Sequence, residues 1–434
     1  MCACKGYIRS LRGDGVGYPQ KPTVAGSYRS HAPHPRVPLP LITKYTSVVY
    51  LIALKMLIGN KGKFFAMIFG VALTSLIITQ QSSIFVGLMS RTVGFIFDTP
   101  LPDLWVMDPK VQFVDDIKPM QDTKLLQVRG VQGVEWAVPL YKGSIRARLA
   151  NGTFQTCNVI GLDDATLVGG PPTMVSGRVA DLRLADSVIV DEAAAQGKLA
   201  KPGPTPQSPK TPLKIGDLLE LNDNRAVVVG IARTTRTFQS QPIVYTTYSR
   251  ATRFAPRERK LLSFILAKVK PGEDFTEVAR RINGQTGLAA YTAPQLKGLT
   301  IRYFMKNTGI PINFGIAVGL GFLVGVAIVG QTFYSFITDN MRYLGILKAM
   351  GAKNNVLFTM IILQTFLVGA LGSGIGMGIA SLTSIISKNS ELAFYMPWQI
   401  PVVTVLATTL ITLLTTIFSL WKVIRLEPGI VFRG

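Results

Sequence analysis

The stretch FFAMIFGVALTSLII, at residues 64–78, decides the fold class of this 434-residue chain. It continues through the polar run TQQSS at 79–83 into a second apolar run that ends at Met89. A helix over residues 64–90 would be about 40 Å long, more than the roughly 30 Å of a bilayer's hydrocarbon core. We therefore predict a transmembrane helix at 64–90 whose far end projects beyond the bilayer.

Three more apolar segments lie in the last third of the chain, at residues 309–336, 356–386 and 400–421. The composition agrees with a membrane protein, because charged residues make up 16% of the chain, against about 25% in an ordinary soluble domain. Mean hydropathy is +0.33. We predict four transmembrane helices, one before and three after a large external domain at residues 91–308.

Basic residues indicate how the chain lies in the membrane. Residues 1–63 contain ten Lys and Arg but one acid, Asp14, and residues 337–355 are also basic, whereas the loop 387–399 is balanced. Because basic loops stay in the cytoplasm, we predict a multi-pass protein of the cell inner (plasma) membrane with both termini cytoplasmic. The net charge of +22 is divided by the membrane, so it does not indicate nucleic-acid binding.

The two ends of the chain lie outside the predicted spans. Residues 1–44 are polar, basic and rich in Pro and Gly, and we expect them to be disordered. Residues 45–63 contain an apolar run too short to cross a bilayer, which favours an interfacial elbow helix; a buried soluble helix is the alternative. Residues 422–434 are predicted to form a cytoplasmic tail.

The 91–308 region alternates short apolar runs with turn residues, a pattern typical of strands. Helical patterns occur at 191–199 and 274–286, and the pair Asn151-Gly152 predicts a hairpin turn. The segment 201–212 has five prolines and is predicted to be a loop or linker. The fold class is therefore an α+β membrane protein, whose external domain has two lobes. Strands are predicted at 134–139, 144–149, 154–160, 187–190, 218–221 and 226–231.

Catalytic and cofactor motifs are absent from the sequence of the predicted folded body. The two histidines, His31 and His34, lie in the N-terminal tail, and no phosphate-binding G-x-x-x-x-G-K-[ST] motif occurs. We expect no catalytic residue, metal site or cofactor in this chain. Cys157 is predicted to be a buried structural thiol, and an enzyme with chemistry in the external domain is a distant alternative.

Charged clusters in the external domain are predicted to be mainly solvated. The adjacent pairs Asp115-Asp116 and Asp163-Asp164 would point to opposite faces of a strand, so we interpret them as loop charges. A basic cluster is interpreted as a solvated face, with anionic head groups or an acidic partner as the alternative. Its members are Arg250, Arg253, Arg257, Arg259 and Lys260.

Glycines recur at close spacing inside the predicted spans. Small residues four apart allow helix backbones to approach closely in lipid. We predict that these glycines pack helices together, within the chain or against a second copy. No ionisable residue lies deep in a span, which argues against an ion-coupled transporter. The predicted packing residues are Gly315, Gly319, Gly321, Gly325, Gly374 and Gly378.

The segment QTFYSFITDNMRYLGILKAMGAKNN, at 331–355, joins the second and third predicted spans. Its apolar residues recur at helical spacing beside Arg342 and Lys348, and Gly351 is placed to end the helix. We predict an amphipathic helix at the cytoplasmic surface, within a segment 337–355, that docks a soluble partner.

The run RYLGILKAMGA at 342–352 resembles the coupling segment of MacB/FtsX-type ABC transporter permeases. The one-plus-three arrangement of spans, the run KMLIGNK at 55–61 and the run RLEP at 425–428 are similar to that family as well. The runs QTFY at 331–334, LKAMG at 347–351 and IVYTTYSRA at 243–251 most resemble the DevC subgroup, which is associated with glycolipid export. Tyr343 stands where many members have an acidic residue.

The resemblance implies a homodimeric permease that binds ABC ATPase subunits, with ATP and Mg held by those subunits. It also implies a membrane-fusion adaptor and an outer-membrane channel, contacts with membrane lipids, and export of lipid-like or amphiphilic cargo. The alternative is an FtsX-like transducer that activates an external hydrolase and transports nothing. The residues expected to couple to the ATPase are Asn60, Lys61, Arg342, Tyr343, Leu344, Gly345, Ile346, Leu347, Lys348, Ala349, Met350 and Gly351.

Overall fold

A computed structural model describes residues 40–203, 209–256, 261–387 and 391–424 of the chain; at 40–49 and 420–424 it describes the backbone alone. Of the tail predicted to be disordered at 1–44, residues 1–39 lie outside the described residues, as does the RLEP run at 425–428, whereas residues 40–44 are helical and belong to the first helix. Residues 40–49 and the described residues from 50 to 424 belong to two separate units, and the core lies within the second.

Among the described residues, four helices are long and apolar enough to cross a membrane, by length and composition. They are α2, α9, α11 and α12, and the shorter helices α1 and α10 precede α2 and follow α9. The bounds are α1 Pro40–Gly59, α2 Lys61–Thr92, α9 Ile310–Asp339, α10 Met341–Ala349, α11 Asn354–Ile386 and α12 Gln399–Ile424.

The turn between α1 and α2 lies earlier than the sequence indicated. The elbow was predicted to extend to residue 63, but α1 ends at Gly59 and residues 61–63 belong to the first turn of α2. The carbonyl oxygen of the Asn60 side chain accepts a hydrogen bond from the Lys63 backbone N–H at 3.2 Å and caps α2. Such a cap satisfies an otherwise unpaired donor and so fixes where the helix begins.

Helix α2 lies at the centre of the bundle and packs against α9, α11 and α12. Its contact with α11 depends on two glycines. A Cβ atom on Gly376 would lie 2.3 Å from the carbonyl oxygen of Ala72, and one on Gly372 would lie 2.6 Å from the Cβ of Val71. The backbones therefore approach more closely than any side chain would allow.

The other glycines divide into two groups. Gly321 and Gly325 of α9 face α2, because an added Cβ would lie 2.8 Å from Ile77 Cγ2 and 2.5 Å from Thr74 Oγ1, respectively. The remaining predicted packing residues have no neighbour in the described part of the chain within 4 Å of an added Cβ; these are Gly315, Gly319, Gly374 and Gly378. Within the chain, α11 packs through Gly372 and Gly376 rather than through Gly374 and Gly378.

Hydroxyl groups add hydrogen bonds between the spanning helices. Thr79 of α2 and Thr404 of α12 are joined at 3.0 Å, and Ser75 of α2 donates to the Ser373 carbonyl at 3.1 Å. These groups are buried, so each bond removes the cost of leaving a polar atom unpaired in an apolar environment.

The described strands of the external domain form one mixed sheet, in the order β10-β1-β9-β2-β3-β8-β5-β7-β4, with β6 beside β2 and β7. The strand bounds are β1 Leu104–Met107, β2 Val134–Arg148, β3 Phe154–Leu162, β4 Thr173–Ser176, β5 Ser187–Asp191, β6 Leu218–Leu221, β7 Asn224–Arg233, β8 Ile243–Thr247, β9 Phe264–Val269 and β10 Ala289–Thr292. The helices are α3 Gly94–Phe97, α4 Thr123–Arg129, α5 Glu192–Gln196, α6 Tyr248–Phe254, α7 Phe275–Thr286 and α8 Ala293–Asn307.

Strand β2 belongs to both lobes of the domain. Its residues up to Leu140 pair with β9, whereas those from Tyr141 onward pair with β3. On one face of the sheet separate apolar clusters cover the two parts, one centred on β1, β9 and α7 and the other on β3, β5 and β7. On the other face a single cluster with members from β1 to β9 spans both parts. The predicted strands 134–139 and 144–149 are therefore halves of one strand.

Several sequence predictions for this domain agree with the structure and others do not. The hairpin at Asn151-Gly152 joins β2 to β3, and Gly152 has a positive φ of 78°. The helix predicted at 191–199 is shorter, because α5 ends before Gly197. Cys157 is buried, and burial raises the pKa of its thiol to about 12, which agrees with a structural role. Lys201 pairs with Thr211 across the proline-rich loop, whose residues 204–208 lie outside the described part.

The basic cluster and the carboxylate pairs are more structured than predicted. Arg250 donates to Ser187 Oγ at 2.7 Å, and Arg253 pairs with Asp186 at 2.6 Å. Residues 257–260, with the rest of the cluster, lie outside the described residues. Asp115 lies in a turn and is exposed, as predicted for a loop charge, but its carboxylate also forms an ion pair with the buried amine of Lys142 on β2.

The contact between α2 and α11 generates a stability prediction. Gly376→Ala places a methyl group against the Ala72 carbonyl and should destabilise the protein by about 1–3 kcal/mol, the usual cost of overpacking. Gly298→Ala in α8 is the matched control, because its methyl meets nothing within 4 Å among the described residues. Thermal unfolding of the full-length protein in detergent measures both, and equal midpoints for the two variants would contradict this packing.

Burial of Lys142 generates a pH prediction. Burial lowers the pKa of its ammonium from 10.5 to about 7. Between these values the unfolded chain keeps a proton that the folded chain has lost, so raising the pH favours the folded state. Lys142→Met removes this effect. We expect the variant's stability advantage over the wild type to be largest at pH 7 and to shrink toward pH 10, by about 1.4 kcal/mol per pKa unit.

Thermal unfolding of both proteins across this pH range tests the prediction. An advantage that stays constant from pH 7 to pH 10 would show that Lys142 titrates normally in the folded protein. Lys118→Met is the control, because the Lys118 ammonium is substantially exposed.

Candidate coupling site

Helix α10 leaves the second spanning helix after a single residue. Asn340 separates α9 from α10, and its side-chain amide donates to the Phe336 carbonyl at 2.9 Å. Its own carbonyl accepts from the Leu344 N–H at 3.1 Å, which starts the new helix. The second span was predicted to end at residue 336, but helical structure continues to Asp339. Helix α10, which contains most of the predicted coupling residues, is therefore attached to α9 by one short turn.

One face of α10 is buried and the opposite face is exposed. Leu344 is 3% exposed and Gly345 is also buried. Tyr343 and Met350 are 60% and 77% exposed, and Ile346 lies between them on the same face. Apolar residues at positions i, i+3 and i+7 on an exposed helix face are typical of helices that insert into a groove of a partner.

The remaining coupling residues flank these two faces. Arg342 and Ala349 are exposed, whereas Leu347 and Lys348 are half-buried. The sequence predicted that Leu344, Ile346, Leu347 and Met350 share an apolar face. The structure places Leu344 on the buried side and adds Tyr343 to the exposed side.

The end of α10 is fixed by two backbone hydrogen bonds. The Gly351 N–H donates to the Lys348 carbonyl at 3.1 Å, and the Ala352 N–H donates to the Leu347 carbonyl at 3.0 Å. This is the Schellman pattern, which requires a left-handed residue after the helix. Gly351 meets that requirement with a φ of +93°, so the predicted role of Gly351 in ending the helix is confirmed.

Lys63 joins the start of α2 to the end of α9. Its ammonium donates to Ser335 Oγ at 2.7 Å and forms an ion pair with the Asp339 carboxylate. Asn60 and Lys61 therefore lie at the same end of the bundle as α10. The sequence analysis did not predict this contact. Lys63 and Asp339 nevertheless lie at the ends of two apolar segments whose ends were predicted to be on the same side of the membrane.

The opposite end of α2 is tied to both the external domain and the loop before α12. The Arg91 guanidinium donates to the carbonyls of Glu391 and Leu392 at 2.7 and 2.9 Å, and to Ser240 Oγ at 3.1 Å. The Glu391 carboxylate pairs with Lys198 of the external domain at 2.8 Å, which lowers its pKa. We call Arg91, Lys198, Ser240, Glu391 and Leu392 the outer junction.

Close backbone packing supports the outer junction. The Tyr395 N–H donates to the Ser83 carbonyl at 3.1 Å, and a Cβ on Gly87 would lie 2.3 Å from the Ala393 carbonyl oxygen. The segment 391–395 thus lies directly on the outer part of α2. No group of three or more potential metal-binding side chains occurs in the described residues.

Two family models match the chain. The model described as MacB-like periplasmic core domain matches residues 64–285, about half of the chain, and the model described as FtsX-like permease C-terminal matches residues 315–428. The chain belongs to the MacB/FtsX-type ABC transporter permease family. Helix α10 lies inside the FtsX-like match, whereas Asn60 and Lys61 precede the MacB-like match.

Individual proteins in these comparisons are distant. An uncharacterized ABC transporter permease, MJ1507 of Methanocaldococcus jannaschii, is 24% identical over 237 residues, which are 51% of this chain and 58% of that protein. This permease chain therefore matches less than two thirds of its relative's length.

Solved structures of external domains are also similar. The periplasmic region of MacB from Actinobacillus actinomycetemcomitans matches with a TM-score of 0.34 and 16% identity, covering 49% of this chain and 96% of that one. The extracellular domain of YknZ from Gram-positive bacteria matches with a TM-score of 0.31 and 14% identity, covering 44% and 98%.

The outer junction generates a prediction for this permease. Arg91→Met removes three donated hydrogen bonds, and bonds to charged groups contribute about 1.5–3 kcal/mol each. We expect backbone amides of residues 391–395 to exchange with solvent about tenfold faster or more. Hydrogen exchange with mass spectrometry on the full-length protein measures the change.

Glu391→Gln is the matched comparison, because it removes only an ion pair whose carboxylate is largely exposed. Exposed pairs contribute little, so exchange in residues 391–395 should stay close to that of the wild type. Equal acceleration in both variants would show that the side-chain pair, rather than the Arg91 contacts to backbone, holds the junction.

Proposed function

We propose that this chain is the membrane subunit of an ATP-driven export machine of the MacB/DevC type. A separate ABC ATPase supplies hydrolysis, with ATP and Mg bound there, and the permease transmits the motion to its external domain. The observation that carries the proposal is the exposed Tyr343–Ile346–Met350 face of α10. In this orientation both termini and α10 are cytoplasmic.

The route of transmission follows from the contacts of α2. At one end Lys63 holds α2 to Asp339, next to α10, and at the other end Arg91 holds it to the outer junction. A displacement of α10 is therefore passed to a helix that contacts the external domain directly. No charged residue is needed inside the membrane for this mechanism, which agrees with export driven by a partner's ATP hydrolysis.

A homodimer is part of the proposal. Gly315, Gly319, Gly374 and Gly378 meet nothing within 4 Å, so these positions are open to a second copy of the chain. Cargo of lipid-like or amphiphilic character, a membrane-fusion adaptor and an outer-membrane channel complete the machine. The resemblance to the DevC subgroup supports a glycolipid as cargo.

The same contacts would also serve a signal transducer that activates an external hydrolase. The ion pair and hydrogen bonds of the outer junction favour this alternative as much as export, because either activity requires the domain to move with the spans. The phenotype on loss of the protein separates them. Accumulated amphiphile indicates export, whereas defective cell-wall cleavage indicates signalling.

The coupling face is tested by affinity purification from gently solubilised, nucleotide-trapped membranes. Ile346→Asp places a charge in the proposed interface, where one central residue commonly contributes 2 kcal/mol or more. We expect recovery of an ABC ATPase to fall about tenfold or more while the permease stays in the membrane. Mass spectrometry of the bound proteins measures recovery.

Leu126→Asp is the control, since it makes a similar change at an exposed apolar residue of α4, in the external domain. It should retain the ATPase as the wild type does. Retention by Ile346→Asp equal to that of the wild type, or no ATPase with the wild type, would refute the docking role of α10.

A further inference from the structure

A cavity of about 660 Å³ lies where strand β2 passes from one lobe of the external domain to the other. Tyr141 and Lys142, at the change of pairing from β9 to β3, form part of its lining. The volume lies in the range of about 300–1,000 Å³ typical of small-molecule sites. The cavity is separate from α10 and from the outer junction.

The buried Lys142 side chain is part of the cavity lining. The Lys142 side chain is 2% exposed, and its ammonium lies 5.0 Å from the centre of the Phe95 ring. Asp115 is the one carboxylate in ion-pair contact with it among the described residues, and that side chain is 40% exposed. A partner so open to water compensates a buried charge weakly, because solvent screens it.

Aromatic rings form one wall. The rings of Phe113 and Phe304 are 5.4 Å apart, those of Phe238 and Phe304 are 5.3 Å apart, and Tyr303 stacks on Phe113 at 4.5 Å. All three phenylalanines line the cavity. This wall offers apolar surface to a ligand and few polar partners.

The aromatic wall lies on the membrane side of the domain. Phe304 belongs to α8, which leads within a few residues into the spanning helix α9. Phe238 lies just before Ser240, which accepts a hydrogen bond from Arg91 at the outer end of α2. An apolar ligand part on this wall would therefore lie close to the bilayer surface.

The other charged groups at the cavity are already paired. Asp116 also lines the cavity, but its oxygens accept from Lys118 at 2.8 Å and from the Gln112 N–H at 3.0 Å. Ser144, Asn158 and Gln241 supply neutral polar groups. The group least compensated by its surroundings is thus the Lys142 ammonium.

We propose that this cavity binds an amphiphile whose anionic head group contacts Lys142 and whose apolar part lies along Phe113, Phe238 and Phe304. An ammonium has three donors, and this one contacts one carboxylate and one ring, so a ligand anion supplies a further acceptor beside the water-screened carboxylate of Asp115. A cationic head group would be repelled by the same ammonium. The identification of this ligand as cargo rests on the proposed export function. Binding itself does not rest on it, because binding requires no ATPase.

Binding of laurate to the full-length protein in phosphatidylcholine nanodiscs tests the site. Calorimetric titration, corrected with empty nanodiscs, should show one saturable site for each chain. Lys142→Met keeps the length of the side chain but removes its charge, and we expect binding to weaken at least tenfold. Phe238→Ser, which shortens the aromatic wall, should weaken it as well, and Lys110→Met, at an exposed lysine that does not line the cavity, should leave it unchanged.

Two further titrations determine whether the ligand must be anionic and whether it comes from the membrane. Dodecyltrimethylammonium should not bind saturably, because its head group is cationic. Competition of laurate by phosphatidylglycerol placed in the nanodisc would support a membrane lipid as the ligand, and absence of competition would support a soluble amphiphile.

The proposal is overturned if laurate and phosphatidylglycerol both fail to bind saturably, if the cation binds as well as laurate, or if properly folded Lys142→Met and Phe238→Ser bind laurate as the wild type does. Circular dichroism and thermal unfolding establish that both variants are folded. Ile346→Asp separates this site from the export function, because it should lose the ATPase and still bind laurate. Loss of laurate binding in that variant would contradict an independent site.

Discussion

The rest of the structure depends on the close contact between the backbones of α2 and α11. Gly372 and Gly376 let α11 approach the α2 backbone more closely than a methyl group would permit. In an apolar solvent, helices gain little from hiding apolar side chains, so such close packing and hydroxyl hydrogen bonds must supply the association. Because α2 is held along its length, it can act as a stiff element between the two sides of the membrane.

The stiffness of α2 is important because each end of this helix contacts a different part of the protein. Lys63 reaches Asp339 beside α10, and Arg91 reaches backbone carbonyls of the loop before α12. The external domain is connected to the spans through α2, through α8 and through Lys198. These contacts join the two ends of α2 to the rest of the protein with no charged residue between Lys63 and Arg91.

The sequence predicted those elements whose pattern is local. Four apolar segments and strands such as Phe154–Leu162 were recognisable because hydrophobicity repeats along a few residues. Buried four-residue strands such as Leu104–Met107 carry no alternation and were missed. The alternate glycines of α11 were equivalent in sequence, and only the rotation of α11 against α2 separates Gly376 from Gly378. Lys142–Asp115 and Lys63–Asp339 were missed because they join distant segments, whereas the Gly351 helix end was predicted because its signal is local.

Strand β2 has a consequence that concerns the two lobes. Since one continuous strand pairs with β9 and then with β3, any change in the angle between the lobes must twist or bend that strand near Tyr141 and Lys142. A molecule held at this position would resist such a twist, and the twist would in turn alter its affinity by the same free energy, since coupling between two equilibria is reciprocal. Binding of a ligand in the cavity and the angle between the two lobes are therefore thermodynamically coupled through strand β2.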